Sequence, residues 1–253
     1  MSAVKIALLS DIHGNLTALD AVLQDIDNLG GADHYLVLGD LAALGPQPVQ
    51  VLERLNQLPN IQFARGNTDR YVVTGDRPTP TIAQTEKDPA LIPILFDVAT
   101  TFAWTQGVIT QAGWFDWLQN LPFEIRLTLP DGTRLLGVHA APKADDIPIH
   151  PNLRNEEITS ILTGCQADLI CMGHTHIPLD IHVGNRHVVN LGSVSNPPGA
   201  DLRASYVYLT ANATTYQLQH RRVAYDYQAV IDTLHRVHHP GRAFIISHFK
   251  KHP

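Results

Sequence analysis

Seven residues set in five short motifs carry side chains suited to divalent metal ions. Asp11 and His13 stand in Asp11-Ile12-His13-Gly14-Asn15, Asp40 follows Gly39, and Asn67 lies in Gly66-Asn67-Thr68-Asp69. His139 follows Val138, and His174 and His176 belong to Gly173-His174-Thr175-His176. Carboxylate, amide and imidazole groups without thiolate fit hard or borderline ions such as Mn²⁺, Fe²⁺, Ni²⁺ or Zn²⁺, and ligand type alone does not choose among them. Asp11/His13 and His174/His176 share an i, i+2 spacing. In an extended backbone such residues point to the same side, so each pair can converge on one ion.

Each motif alone is weak, because 14 histidines in 253 residues make about one His-x-His pair by chance. The ordered set is specific, since every member follows a strand-like apolar run. Lys5 to Leu9 precedes Asp11, Tyr35 to Leu38 precedes Asp40, Ile61 to Ala64 precedes Asn67, Arg134 to Val138 precedes His139, and Leu169 to Met172 precedes His174. In open α/β sheets the ligand site lies outside the carboxyl ends of the strands, so these positions predict one shared rim. From Leu16 to Leu23 the apolar residues recur at helical spacing, and Pro46 and Pro48 mark the entry to a helix over about Pro48 to Gln57. From Val4 to Ala64 strands thus alternate with helices, which predicts a parallel sheet.

The second half carries hairpin signals instead. Glu124 to Leu129 and Thr133 to Val138 flank Pro130-Asp131-Gly132, Leu179 to Val183 and Arg186 to Asn190 flank Gly184-Asn185, and Ala204 to Leu209 and Thr214 to Gln219 flank an Asn-containing turn. This predicts a second, largely antiparallel sheet. Two sheets face to face with helices outside satisfy both halves. Residues 71–120 fit neither half: loop chemistry from Thr74 to Pro80 leads into helical stretches near Leu91 to Thr105 and Gly113 to Asn120. Placed directly after the Asn67 motif, they read as a small helical cap within a single domain spanning 1–253. Trp104, Trp114 and Trp117 in that segment either pack a core or line a pocket.

With these motifs in order, and with Asn190-Leu191-Gly192-Ser193-Val194 after them, the chain resembles the calcineurin-like metallophosphoesterase superfamily, in particular its small bacterial and archaeal phosphodiesterase branch. The resemblance covers most of the chain and implies an α/β/β/α sandwich of two mixed sheets. It also implies two divalent ions, one held by Asp11, His13 and His176 and the other by Asn67, His139 and His174, with Asp40 bridging them. Asp40, Asn67 and His139 would form the catalytic centre. Two ions roughly 3.5–4 Å apart can share a hydroxide, lower its pKa and clamp both the attacking and leaving oxygens of an in-line displacement. The implied activity is hydrolysis of a small phosphodiester or nucleotide by that hydroxide, with Mn²⁺ the first ion to assay.

The chain departs from the family pattern at one point. Many members carry histidine between the Asn and Asp of the third motif, where it can protonate the leaving oxygen; here that residue is Thr68. The aspartate that partners it in the family's protein phosphatases is replaced by Ala43. Threonine cannot act as a general acid near neutral pH, a role typically contributing 10²–10⁴-fold. The pattern argues against a serine/threonine phosphomonoesterase, the alternative enzyme reading, and favours good leaving groups. A metal-binding interaction scaffold with a weakened site is the alternative outside enzymes, though a scaffold has no need of a full ligand set.

Around the ligands, Asn15 reads equally as the N-cap of the helix at Leu16 or as a phosphate contact. Arg70 is the nearest cation to the third motif and can hold a phosphate oxygen bidentately. Thr68, Asp69 and Ser193 are placed behind the ligands as supports. His150, in the loop after His139 with Asp145 and Asp146, is an alternative leaving-group acid. His235, His238, His239, His248 and His252 read as surface residues in or after a helix begun near Tyr227.

A formal net charge of −6 gives no footprint for broad nucleic-acid binding, so the partner expected is a small phosphate ester. No apolar run approaches the length of a membrane span, and no membrane partner is expected. The oligomeric state is left open. Cys165 and Cys171 show no disulfide or metal-binding pattern and read as buried thiols in a reducing compartment. Since Met1-Ser2-Ala3-Val4-Lys5 leads directly into the first strand, no leader is expected and the cytoplasm is the predicted location.

Overall fold

The structure is a computed structural model that describes residues 3–250. Among the described residues, ten strands form two sheets of five. The first contains β1 (Val4–Leu9), β2 (His34–Leu38) and β3 (Ile61–Ala64) in parallel, with β9 (Ala204–Ala211) and β10 (Tyr216–Val223) joined antiparallel in the order β10-β9-β1-β2-β3. The second contains β4 (Glu124–Thr128), β5 (Arg134–Val138), β6 (Leu169–Met172), β7 (Leu179–Val183) and β8 (Arg186–Asn190) in the order β4-β5-β6-β8-β7.

Two-residue alternation along the strands builds the layers. Ile6, Leu8, Leu36 and Leu38 face Leu135, Leu169, Cys171 and Val189 in a core between the sheets. The intervening residues Ala7, Leu9, Tyr35 and Val37 turn the other way, onto α1 (Leu16–Asn28), α2 (Pro48–Asn56), α3 (Asn67–Thr74), α5 (Ile92–Gln111) and α6 (Phe115–Gln119). Leu136, Val138, Ile170 and Met172 likewise face away from the inter-sheet core, toward α7 (Asn155–Ile161). The result is the expected four-layer α/β/β/α sandwich of two mixed sheets.

Two expectations change. The hairpin β9–β10 joins the first sheet, where β9 pairs with β1. The second sheet is therefore half parallel, since β6 pairs in parallel with both β5 and β8. Hairpin chemistry shows which strands are neighbours, but the sheet a hairpin joins depends on which apolar edge remains uncovered. The second change concerns the apolar stretch Pro89–Gln111, which is long and apolar enough by length and composition to cross a membrane. Interspersed Thr, Trp and Gln residues and the single charge of Asp97 conceal it from a search for continuous apolar runs. Its later half packs in the helical layer through Phe102, Thr105 and Ile109, while Ile92, Ile94 and Phe96 are exposed.

Segment 71–120 is helical as expected, comprising the end of α3, α4 (Ile82–Lys87), a 3₁₀ turn at Pro89–Leu91, α5 and α6. Its tryptophans serve packing. Trp114 and Trp117 lie against the helix-side core and meet edge to face at 5.3 Å, and Trp104 meets His239 at 4.5 Å. Trp117 also lines a surface cavity of about 530 Å³ with Phe63 and Asn120, among residues that include none of the metal-ligand candidates.

The C-terminal region is two helices, α8 (Tyr227–Arg236) and α9 (Arg242–Lys250), packed on each other. His235 and His238 are exposed as expected, whereas His239, in the turn between the helices, is fully buried. Its Nδ1 accepts the Gly241 N–H at 3.2 Å. A histidine next to an exposed one gives no local sign of burial; the turn rotates it inward onto Trp104. His248 is half-buried, and His252 lies outside the described residues.

Candidate metal centre

Five strand ends meet at one rim. Asp11 and His13 follow β1, Asp40 follows β2, Asn67 opens α3 after β3, His139 follows β5, and His174 and His176 follow β6. Asp11, His13, Asp40, Asn67 and His139 are buried, and His174 and His176 are half-buried. The structure brings all seven together in two adjoining groups. In one, His176 Nε2 lies 3.1 Å from Asp11 Oδ1 and 3.3 Å from His13 Nε2. In the other, Asn67 Oδ1 lies 2.8 Å from His139 Nε2 and 3.0 Å from His174 Nδ1. Asp40 stands between them, with Oδ2 3.7 Å from His13 Nε2 and Oδ1 3.4 Å from His139 Nε2.

The way each pair converges differs from the extended geometry expected. Asp11, His13, Asp40, His174 and His176 all have positive φ, between 49° and 68°. Left-handed backbone costs a non-glycine residue on the order of 1 kcal/mol or more, and persists where the surroundings over-determine it. Here strand-end turns aim side chains that a straight strand would carry past one another. Two glycines make room for them. A Cβ on Gly66 would overlap Asp40 Oδ1, and one on Gly173 would overlap Ser10 Oγ and Asp11 Oδ2.

Hydrogen bonds from behind fix the imidazole tautomers. His13 Nδ1 donates to Ala43 O at 3.2 Å, His139 Nδ1 to Leu38 O at 2.8 Å, and His176 Nδ1 to Asn196 O at 2.7 Å. A carbonyl oxygen only accepts, so in the neutral ring each proton sits on Nδ1 and each Nε2 turns a lone pair into the site. His13 and His176 then present lone pair to lone pair, and His139 Nε2 faces the Asn67 carbonyl oxygen. Among the described residues, Asp11 Oδ1 is buried with no hydrogen-bond donor. Acceptors gathered without donors are repulsive until a cation enters, so this donor set fits divalent ions.

Burial sets the electrostatics together with the shared carboxylates. Burial lowers the pKa of His13 and of His174. It acts in the same direction on His139 and His176, but there Asp40 and Asp11 outweigh it and the net shift is upward. Burial opposes ionisation of Asp11, yet the surrounding imidazoles hold its carboxyl below the usual range.

Supporting residues hold the turns. Asp69 accepts from Asp40 N and Gly66 N at 2.9 Å and from Leu41 N at 3.0 Å, tying the start of α3 to the β2 turn. Burial and the Asp40 charge push its carboxyl up to about 6. Thr68 N donates to Asp40 Oδ1 at 2.9 Å, while its buried Oγ1 has no partner. Ser193 Oγ donates to Asp11 O and accepts from Asn196 N, both at 2.9 Å. Asn15 caps α1, its Oδ1 accepting from Ala18 N at 3.0 Å, and donates to Ser195 Oγ at 3.2 Å. Arg70 forks onto Asp145, with Nη2 2.8 Å from Oδ1 and Nε 2.9 Å from Oδ2, and also reaches Asp76 and Asp146. Its donors are thus turned to carboxylates of this chain. His150 is half-buried, and its Nδ1 has no hydrogen-bond partner among the described residues.

Two contributors were not legible in the sequence as such. Asn190 Nδ2 holds the 173–176 turn through Gly173 O and Thr175 Oγ1, and the Asn196 carbonyl orients His176. Asn190 begins a recognisable motif without a ligand role, and a backbone carbonyl leaves no trace in residue type.

The family model for the calcineurin-like phosphoesterase superfamily domain matches residues 4–214. An uncharacterised protein of Methanocaldococcus jannaschii is 30% identical over 236 residues, covering 87% of this chain and 88% of its own. Phosphodiesterase YfcE of Escherichia coli K12 is 28% identical over 212 residues, 80% of this chain and 85% of its own. Among solved structures, a hypothetical protein of Pyrococcus horikoshii has a TM-score of 0.78 at 23% identity, with 94% of each chain covered. A metallophosphoesterase of Sphaerobacter thermophilus has a TM-score of 0.70 at 25% identity, covering 95% of this chain and 99% of its own. From the first strand through β9, in motif order and in fold, the chain belongs to the calcineurin-like phosphoesterase superfamily and is a metal-dependent phosphoric ester hydrolase.

Proposed function

We propose that the protein hydrolyses small phosphodiesters at a two-ion centre, with Asp11, His13 and His176 holding one ion, Asn67, His139 and His174 the other, and Asp40 shared. The observation that carries this reading is the pair of adjoining donor groups whose unprotonated nitrogens and oxygens face one another across Asp40. Two divalent ions held there would supply an activated water and neutralise charge building on the phosphoryl oxygens.

The chain's own residues divide the remaining work. The carbonyls of Leu38, Ala43 and Asn196 keep three imidazoles in the ligating tautomer. Asp69 holds the Asp40 backbone N–H, and the Thr68 N–H holds the Asp40 carboxylate. Thr68 and Ala43 place no proton donor where many relatives have a histidine and its aspartate partner, so the leaving oxygen departs without help from these positions. That favours esters with good leaving groups and agrees with the name of the Escherichia coli relative, a phosphodiesterase. Mn²⁺ is the ion with which we would assay first. Two free, buried cysteines support a reducing location such as the cytoplasm.

The test is hydrolysis of bis-p-nitrophenyl phosphate beside p-nitrophenyl phosphate, by metal-stripped protein resupplied with Mn²⁺. The expected result is metal-dependent turnover that prefers the diester, with Asp40→Ala losing both turnover and the second Mn²⁺ equivalent in a binding titration. Preference for the monoester would overturn the phosphodiesterase reading. Full activity in Asp40→Ala would overturn the shared-ligand assignment.

A further inference from the structure

Directly beside the metal centre lies a cavity of about 410 Å³, with His176 in its wall. The rest of the wall comes from Leu44 in the β2 turn, from the 196–199 loop with Pro197 and Pro198, and from Phe244, Ile245 and His248 on α9. Its lining contains no Lys, Arg, Asp or Glu. The size is that of a small-ligand site.

Cavity and metal centre share parts. Asn196 lines the cavity and orients His176 through its carbonyl, and His176 Nε2 faces Asp11. The wall is also firm: two prolines restrict the 196–199 loop, and Leu44 is held at φ 77°. Phe244, 43% exposed, offers a ring to an occupant, and the His248 ring braces it edge-on at 4.8 Å. α9 lies beyond residue 214, outside the segment matched by the family model.

A group bonded to a phosphoryl centre held at the two donor groups would meet this cavity on the side of His176, which belongs to both. The wall is largely apolar, lacks permanent charge and presents an aromatic ring, which suits a flat, uncharged ring more than a sugar alone, a phosphate or a cationic group. We propose that this cavity binds an aromatic ester group of the substrate, an aryl or nucleobase-bearing arm, with Phe244 as its stacking wall. This inference rests on the phosphodiesterase reading. It puts substrate selection on the C-terminal helix, whereas α5 of segment 71–120 packs with α2 and α3 in the helical layer.

Binding of two unactivated diesters tests it without turnover. Isothermal titration of the Mn²⁺-loaded protein with diphenyl phosphate and with dimethyl phosphate should show about tenfold tighter binding of the aryl diester. Phe244→Ala should remove most of that preference, Phe244→Trp should retain it, and the affinity for inorganic phosphate should not change in either variant. Because Phe244 is partly exposed, both variants should unfold at nearly the wild-type temperature. Equal binding of the two diesters by wild type, or an aryl preference that survives in Phe244→Ala, would overturn the proposal. Turnover of bis-p-nitrophenyl phosphate is scored separately. Its absence beside a Phe244-dependent aryl preference would strike only the phosphodiesterase reading, and its presence without the preference would strike only the pocket.

Discussion

Replacing Asp69 by asparagine removes little volume yet should weaken both the fold and the metal centre. The Asp69 carboxylate is fully buried and accepts three backbone N–H groups, two on Oδ2 and one on Oδ1. Asparagine supplies one acceptor oxygen, which can take over the pair from Asp40 and Gly66. Its NH₂ then points at the Leu41 N–H, donor against donor. A buried polar group left unsatisfied costs about 1–3 kcal/mol, and here both the Leu41 N–H and the new amide are stranded, giving about 2–6 kcal/mol for Asp69→Asn. In a chain of this size each kcal/mol moves the unfolding midpoint by about 2–4 °C, so a fall of roughly 4–24 °C is expected in metal-free protein. The same bonds hold the turn that carries Asp40, and loss of an orienting partner typically costs 10–100-fold in metal affinity. Differential scanning calorimetry and Mn²⁺ titration read the two effects separately. An unfolding midpoint within about 2 °C of wild type together with unchanged Mn²⁺ affinity would refute the claim that Asp69 holds the β2 turn in place.

Thr68→His tests whether the missing acid limits the enzyme: phosphomonoesterase activity should rise, by up to about 10²-fold, while diester turnover changes little. No gain on p-nitrophenyl phosphate, with the variant folded and Mn²⁺ bound, would show that protonation of the leaving group is not what restrains monoester cleavage. His239 should make the fold acid-sensitive. Burial first, and then the Arg242 charge, lower its pKa to about 4, and the groups shown against its ring are Trp104 and the Gly241 N–H, neither of which can balance an imidazolium. An unfolded histidine titrates near 6.5, so the unfolded state binds the extra proton first, and stability present above pH 6.5 is lost as pH falls toward 4, by at most about 3 kcal/mol. In His239→Gln the slope of unfolding free energy across that window should flatten; an unchanged slope would place the acid sensitivity elsewhere.

Much of this protein was readable from residue order. Each ligand candidate follows an apolar run of strand length, and parallel strands bring their carboxyl ends to one rim, so Asp11, Asp40, Asn67, His139 and His174 could be placed together from local patterns spread over more than half the chain. The helices α1 and α2 were equally local, marked by spacing and by Pro48. The hairpins were legible as hairpins because Gly184-Asn185 and Pro130-Asp131-Gly132 are turn chemistry.

Tertiary structure decided what depends on contacts remote in sequence. Only the folded chain could assign β9–β10 to the first sheet, because edge pairing with β1 is chosen by uncovered apolar surface, which no local pattern encodes. Only it could turn Asp11, His13, Asp40, His174 and His176 into left-handed backbone, since that strain is imposed by turns locked together from separate strands. Burial of His239 and the engagement of Arg70 by Asp145 have the same origin: a side chain's solvent and charge partners are properties of the assembled layers. Residue types and spacing determine which chemistry is available, because ligand donors are chemical identities. Where those donors point, which tautomer they hold and what stands beside them come from long-range packing, because orientation is a property of the folded surroundings.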